Sequence, residues 1–212
     1  MNHQTAQWRT ARTLVLAAAL LVTTAAIGRA DDSGTPVVVR GGTAAFDAAT
    51  NLSAIRIHGK SAALTGRAHV KANNGTIVIE DLEASIPVNT LDTGMGLRDS
   101  HMRKYVFTTD DGQVPDLRFT ADHSSCSGAG AQSTCQVEGQ LSVRGTSRPF
   151  TIALKVSKEG EGFRAVGDSI VKLSTYGIPA PSQLGVHTED DVKLHLDFVA
   201  RPATMATTGG GQ

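Results

Sequence analysis

From Ala54 onward, apolar and polar residues take turns along most of the chain, the two-residue period of strands with one buried and one wet face. Val137, Gly139, Leu141 and Val143 fall on one face and Glu138, Gln140 and Ser142 on the other. Phe150, Ile152, Leu154 and Val156 repeat the pattern after a hairpin-sized turn, Arg144–Arg148, that contains Gly145. Leu117, Phe119 and Ala121 alternate with Arg118, Thr120 and Asp122, and Val192, Leu194, Leu196 and Phe198 with Lys193, His195 and Asp197. Ala54–His58 and Leu64–Lys71 read as two further strands, and Asn74-Gly75 as a tight hairpin turn into a long strand, Thr76–Val88, whose shared face is Val78, Leu82, Ala84, Ile86 and Val88. Phe163–Val171 and Lys172–Ile178 supply one or two more, for about eight in all.

Short connections make neighbouring strands antiparallel, so the fold class is all-β. Helical spacing occurs only in a short insertion, Gly94–Tyr105, where Asp92 or Thr93 is placed to cap a turn or two and Met95, Arg98 and Met102 stack. Strands with one apolar face must hide it, either as a closed up-and-down barrel or as two packed sheets. The candidate inward residues are Leu82, Ile86, Leu117, Phe119, Leu141, Val143, Ile152, Leu154, Leu194, Leu196 and Phe198. They are mainly aliphatic, with many Ala and Gly among their neighbours, and a barrel of this size lined by small side chains leaves room for a guest.

The ends of the chain read differently. Arg9 and Arg12, the apolar run Thr13–Ile27 and the small-residue site Gly28-Arg29-Ala30 make residues 1–30 a secretory signal peptide. The apolar run is shorter than the roughly 20 residues a spanning helix needs. Residues 31–36 form a polar lead-in, 37–201 the barrel domain and 202–212 a disordered Thr/Gly-rich tail. Export places the protein in the periplasm or outside the cell, where Cys126 and Cys135, flanking a Gly/Ser/Ala loop, are expected to pair as a disulfide. The chain has 20 basic and 20 acidic residues, and losing Arg9, Arg12 and Arg29 leaves the mature part with a formal net charge of −3. That balance argues against a nucleic-acid partner.

Catalytic signatures are missing from the sequence. There is no Gly-x-Ser-x-Gly elbow and no His-Glu-x-x-His, and the scattered histidines lack metal spacing, so neither an enzyme nor a metal or other cofactor is expected. Glu80 interrupts an apolar face, either turned outward by a bulge or, at some cost, buried as a carboxylate serving a ligand. Arg98, Asp99 and His101 lie together beside Arg103 and Lys104. They either meet an anionic head group at the barrel mouth or bond to nearby backbone and fix the insertion across the barrel end; the second reading is preferred.

The segment Leu91–Phe119 resembles the signature of the YceI-like, polyisoprenoid-binding proteins: Asp92-Thr93-Gly94, then Arg98, Asp99 and His101 on a short helix, then Phe107, Pro115 and Phe119. Gly139–Pro149 and Ser174–Ile178 are similar to two later stretches of the same family, and the likeness runs from about Thr43 to Arg201. It implies a lipocalin-like, closed antiparallel barrel that holds an isoprenoid, of quinone or polyprenyl type, or another long apolar lipid, with membrane-surface contact for loading. The alternative is an envelope structural or stress-protective barrel with no obligate ligand. The chain departs from the family at Gly66-Arg67-Ala68 and at Val106-Phe107, where aromatics are usual, and in its cysteines.

Overall fold

The computed structural model describes residues 34–73, 76–128 and 132–203. The expected signal peptide, the first three residues of the lead-in, the Asn74-Gly75 turn and all but the first two residues of the tail lie outside them. The strands are β1 (Thr35–Arg40), β2 (Gly42–Thr50), β3 (Arg56–Ser61), β4 (Thr65–Asn73), β5 (Thr76–Ile86), β6 (Leu117–Ser127), β7 (Gln132–Val143), β8 (Thr146–Glu159), β9 (Gly162–Lys172), β10 (Ser182–Gln183) and β11 (Val186–Pro202). One α-helix, α1 (Gly96–Met102), continues into a π-helical turn, Arg103–Phe107, within the long β5–β6 connection. No described helix is long and apolar enough to cross a membrane.

Strand order in space follows strand order in sequence, β4-β5-β6-β7-β8-β9-β11, with every pairing between strands antiparallel. The ring is completed by the first four strands. β1 and β2, broken at Gly41, together run along β11: Val37 and Val38 face Pro202 and Arg201, and Gly42–Ala48 face Phe198–Val192. Their other edge meets β4 and β3. The result is a closed eight-position antiparallel barrel with the short helical insertion; of the two architectures the alternation leaves open, it is the one the family resemblance implies. β10 adds a small hairpin to the start of β11.

Local chemistry explains the tight connections. Val143 pairs with Thr146 across a two-residue turn in which Arg144 and Gly145 both have positive φ, 52° and 73°, as the twist of a hairpin requires. Gly139 is needed for a different reason. A Cβ there would lie 2.1 Å from the Thr120 carbonyl oxygen and 2.7 Å from Cζ of Phe119, whose ring occupies the space a side chain would take.

In four places the chain departs from its alternation. β1 and β2 were not expected as strands, and β1 starts at Thr35, inside the expected lead-in. Lys172–Ile178 is not a strand beyond Lys172; Leu173–Tyr176 form a 3-10 turn that ends at Gly177. Val88 lies in another 3-10 turn rather than in β5. Within β5 the inward face changes phase: Ile77 and Ile79 line the interior, then Leu82, Ala84 and Ile86. The switch falls at Asp81, with φ of 51°, where the β4–β5 register slips. Val78 is therefore off the lining face, and Glu80 pairs outside with Lys71 Nζ at 3.1 Å. This is the bulge alternative, and it avoids burying a carboxylate in an apolar interior.

Away from α1, Cys126 and Cys135 face each other in register on β6 and β7 and form a disulfide, with both residues buried. It closes a short loop, so changing both to Ser should cost about 2–3 kcal/mol in urea denaturation. Gly139→Val should lower stability by about 1–3 kcal/mol through forced overpacking against Phe119 and Thr120. A Gly139→Val variant with an unchanged urea midpoint would contradict the close approach described above.

Candidate functional site

Two clusters of buried side chains divide the interior. One, at the α1 end, gathers Val88, Leu91, Val106, Phe107, Leu173, Tyr176 and Ile178; the other includes Cys126, Cys135, Val137, Ile152, Leu154 and Val156. Between them the inward residues are only partly buried, because they face a void. This cavity measures about 970 Å³, at the upper end of the roughly 300–1,000 Å³ usual for small-molecule sites. Its wall is formed almost entirely of aliphatic and aromatic side chains from strands all round the barrel.

All eleven residues proposed from sequence to line the interior do border this space: Leu82 and Ile86 on β5, Leu117 and Phe119 on β6, Leu141 and Val143 on β7, Ile152 and Leu154 on β8, and Leu194, Leu196 and Phe198 on β11. Sequence reasoning missed Phe46 and the alanines of β2, Ile77 and Ile79 ahead of the bulge, and Phe163 on β9. Phe119 and Phe150 meet edge to face, with ring centroids 6.2 Å apart.

The cavity reaches the surface at the α1 end. Ile55, Tyr105 and Leu184 border it and yet are exposed, Leu184 by 97%. Arg98, His101 and Tyr105 of the insertion border it; Asp99 does not. Instead, Thr93 organises the motif. Its backbone N–H and its hydroxyl donate to Asp99 Oδ1 at 2.9 and 2.5 Å, and Arg98 donates to the Thr93 hydroxyl at 2.8 Å and to the Thr93 carbonyl at 2.6 Å. Neither Asp92 nor Thr93 caps α1, whose N-cap is Met95. Rather, the helix reaches back with Arg98 and Asp99 to hold Thr93. Met95 is exposed and takes no part in an apolar stack. His101 Nδ1 lies 3.3 Å from Gln183 Oε1, and its ring meets Tyr105 edge to face at 5.7 Å, so α1 touches the β10 hairpin across the opening.

Of the groups singled out in the sequence, Glu80, Asp99 and His101 are those able to act as acid or base, and the fold keeps them apart: Glu80 is outside on β5, Asp99 is buried against Thr93, and of the three only His101 faces the opening. Among the described residues no three His, Cys, Asp or Glu side chains converge to hold a metal ion.

The YceI-like domain model matches residues 37–200. The chain belongs to the YceI-like family. Two solved structures share the fold of this YceI-like barrel: Burkholderia cenocepacia BcnA, with a TM-score of 0.57 at 16% identity over 75% of this chain and 95% of that one, and a polyisoprenoid binding domain from Saccharophagus degradans implicated in plant cell wall breakdown, with a TM-score of 0.57 at 13% identity over 80% and 99%. No curated protein matches the sequence. The Asp-Thr-Gly, Arg-Asp-x-His and Phe107 positions of the family resemblance thus fall on the segment at the open end of the YceI-like barrel, whereas Phe119 lies in β6 and lines its interior.

The Thr93 hydroxyl holds the Asp99 carboxyl below the usual carboxylate range; burial works against this, and the Thr93 N–H and the Arg103 charge add to it. A carboxyl with a folded pKa below its unfolded value of about 4 stabilises the fold above that pH and loses the contribution as pH falls through the lowered folded value. Asp99→Ala should therefore cost about 1–3 kcal/mol at neutral pH. It should also make the loss of stability on acidification shallower than in the wild type, as read from urea midpoints across pH. Equal slopes for the two proteins would mean that Asp99 does not contribute in this way.

Proposed function

We propose that this protein is an exported binding protein that holds a long apolar chain of the isoprenoid type inside its barrel. The observation that carries the reading is the apolar cavity of about 970 Å³ that reaches the surface at one end. Membership of the YceI-like family supports it, as does the shared fold with the polyisoprenoid binding domain from Saccharophagus degradans. Export is supported by the signal-like residues 1–30 and by the buried disulfide, which fits an oxidising compartment.

The physical chemistry of such binding is simple. Moving an apolar chain from water into the cavity gains about 0.8 kcal/mol per methylene-sized group. The wall offers few polar contacts, so affinity rests on length and fit, and the head group is left at the opening beside Arg98 and His101. Binding rather than turnover is favoured because the candidate acid and base groups do not share the cavity.

Native mass spectrometry of the protein from its own cell envelope tests this directly. The expected species is a one-to-one complex with an apolar small molecule, on a chain lacking Met1–Ala30 and two thiol hydrogens. A barrel that is empty in every preparation would favour the structural or stress-protective alternative. A companion variant, Leu82→Trp, fills the middle of the cavity. Excluding two methylene-sized groups at about 0.8 kcal/mol each should weaken binding about tenfold. Undiminished affinity would place the ligand elsewhere.

A further inference from the structure

Among the described residues, eight large apolar side chains stand exposed, and seven of them lie at one end of the barrel. Leu52 and Ile55 are in the β2–β3 loop, Met95, Leu97 and Tyr105 on the helical segment, Val114 in the loop after it, and Leu184 at the tip of the β10–β11 hairpin. The eighth, Ile170, is on the barrel wall in β9. Hydrogen bonds tie the main parts of this rim together. Asn51 Nδ2 donates to the Gly185 carbonyl at 3.2 Å, His187 N–H donates to Asn51 Oδ1 at 3.0 Å, and His101 lies against Gln183. The loops that carry Leu52, Ile55 and Leu184 and the helical segment are therefore linked, and the cavity opens among them between Ile55, Tyr105 and Leu184.

Taking the carriage reading above as its starting point, we infer that this rim is a membrane-docking surface, and that its partner is a bilayer containing anionic lipid. Exposed apolar side chains of this size are costly to keep in water unless something covers them. A cavity that opens within this rim needs a covering phase that can deliver an apolar chain, and the acyl boundary of a bilayer meets both needs. The charges agree. From Leu97 to Phe107 the helical segment carries Arg98, Arg103 and Lys104 against a single acid, Asp99, which is buried. Lys104 Nζ sits 5.1 Å over the Tyr105 ring, an aromatic and a cation placed as they are at bilayer interfaces. Asp110, paired with Arg144, and Asp111, bonded to the Thr109 hydroxyl, lie exposed on the next loop, so the cationic face is confined to the helical segment. The rim thus presents Leu97 and Tyr105 for the acyl boundary, with lysine and arginine at phosphate level.

Vesicle sedimentation tests the surface apart from the cavity. Met95 and Leu97 are exposed but do not border the cavity, so a Met95→Glu/Leu97→Glu variant disturbs the rim alone. The wild-type protein should sediment with phosphatidylcholine vesicles containing phosphatidylglycerol, and more weakly with phosphatidylcholine alone or at high salt. The double variant should lose about tenfold or more in partitioning, while Ile170→Glu on the wall behaves as wild type. A soluble fluorescent farnesyl probe, added without vesicles, should bind all three proteins alike. The inference is overturned if the wild type does not sediment, if Ile170→Glu weakens sedimentation as much as the double variant, or if neutral vesicles bind as well as anionic ones. Vesicle binding without probe binding would remove the carriage reading and leave the docking surface in place; probe binding without vesicle binding would do the reverse.

Discussion

Closure of the hydrogen-bond ladder around β11 is the constraint on which the rest depends. A meander of strands has two free edges, and exposed edges invite pairing with other chains. Here one edge of β11 meets β9 along its length, and the other meets β2 and then β1. With that seam made, the wall is held by backbone hydrogen bonds and does not need a solid core behind it. An open sandwich of the same strands would have to fill its interior to hold its sheets together, whereas the ring can leave its middle empty.

That freedom has a cost, because unfilled space forfeits the contacts its lining would otherwise make. The structure limits the loss by packing side chains toward both ends, leaving open the middle and a passage to the surface at the α1 end. Phe107, Tyr176 and Ile178 pack the α1 end; the disulfide, Val137 and Val156 pack the other. The middle is left to residues such as Leu82, Leu141 and Leu196, which stay only partly buried although they point inward. An apolar occupant would recover the missing contacts.

The strands with clean alternation were legible in the sequence, and so was the wall they build: β7, β8 and β11 present Leu141, Ile152 and Leu196 to the cavity as their spacing implies. What escaped was phase and continuity. A bulge adds one residue without leaving a mark in composition, so Val78 looked equivalent to Leu82 until Asp81 took a positive φ. β1 is a run of valines and β2 is rich in alanine, with Gly41 between them; neither alternates, because the pair is defined by its partner β11 rather than by its own pattern. Around the insertion, the short helix and the grouping of Arg98, Asp99 and His101 could be read from spacing. That Thr93 is the anchor for both Arg98 and Asp99 could not, because a threonine in a turn has many available partners.

The two ends of the barrel differ in how firmly each is closed. At the end away from α1 the connections are short, β8 and β9 are joined through only two residues, and the disulfide ties β6 to β7. Opening there would mean breaking a ladder or a covalent bond. At the α1 end, beside the short β2–β3 and β7–β8 links, run two long connections, 87–116 and 173–185, which touch across the opening through His101 and Gln183. A single neutral hydrogen bond is worth about 0.5–1.5 kcal/mol net, far less than a strand pairing. Four hydrogen bonds hold Thr93 to Arg98 and Asp99 of α1, whereas the contact between α1 and the β10 hairpin is the His101–Gln183 bond, so the more weakly held boundary lies at the end where the apolar rim stands.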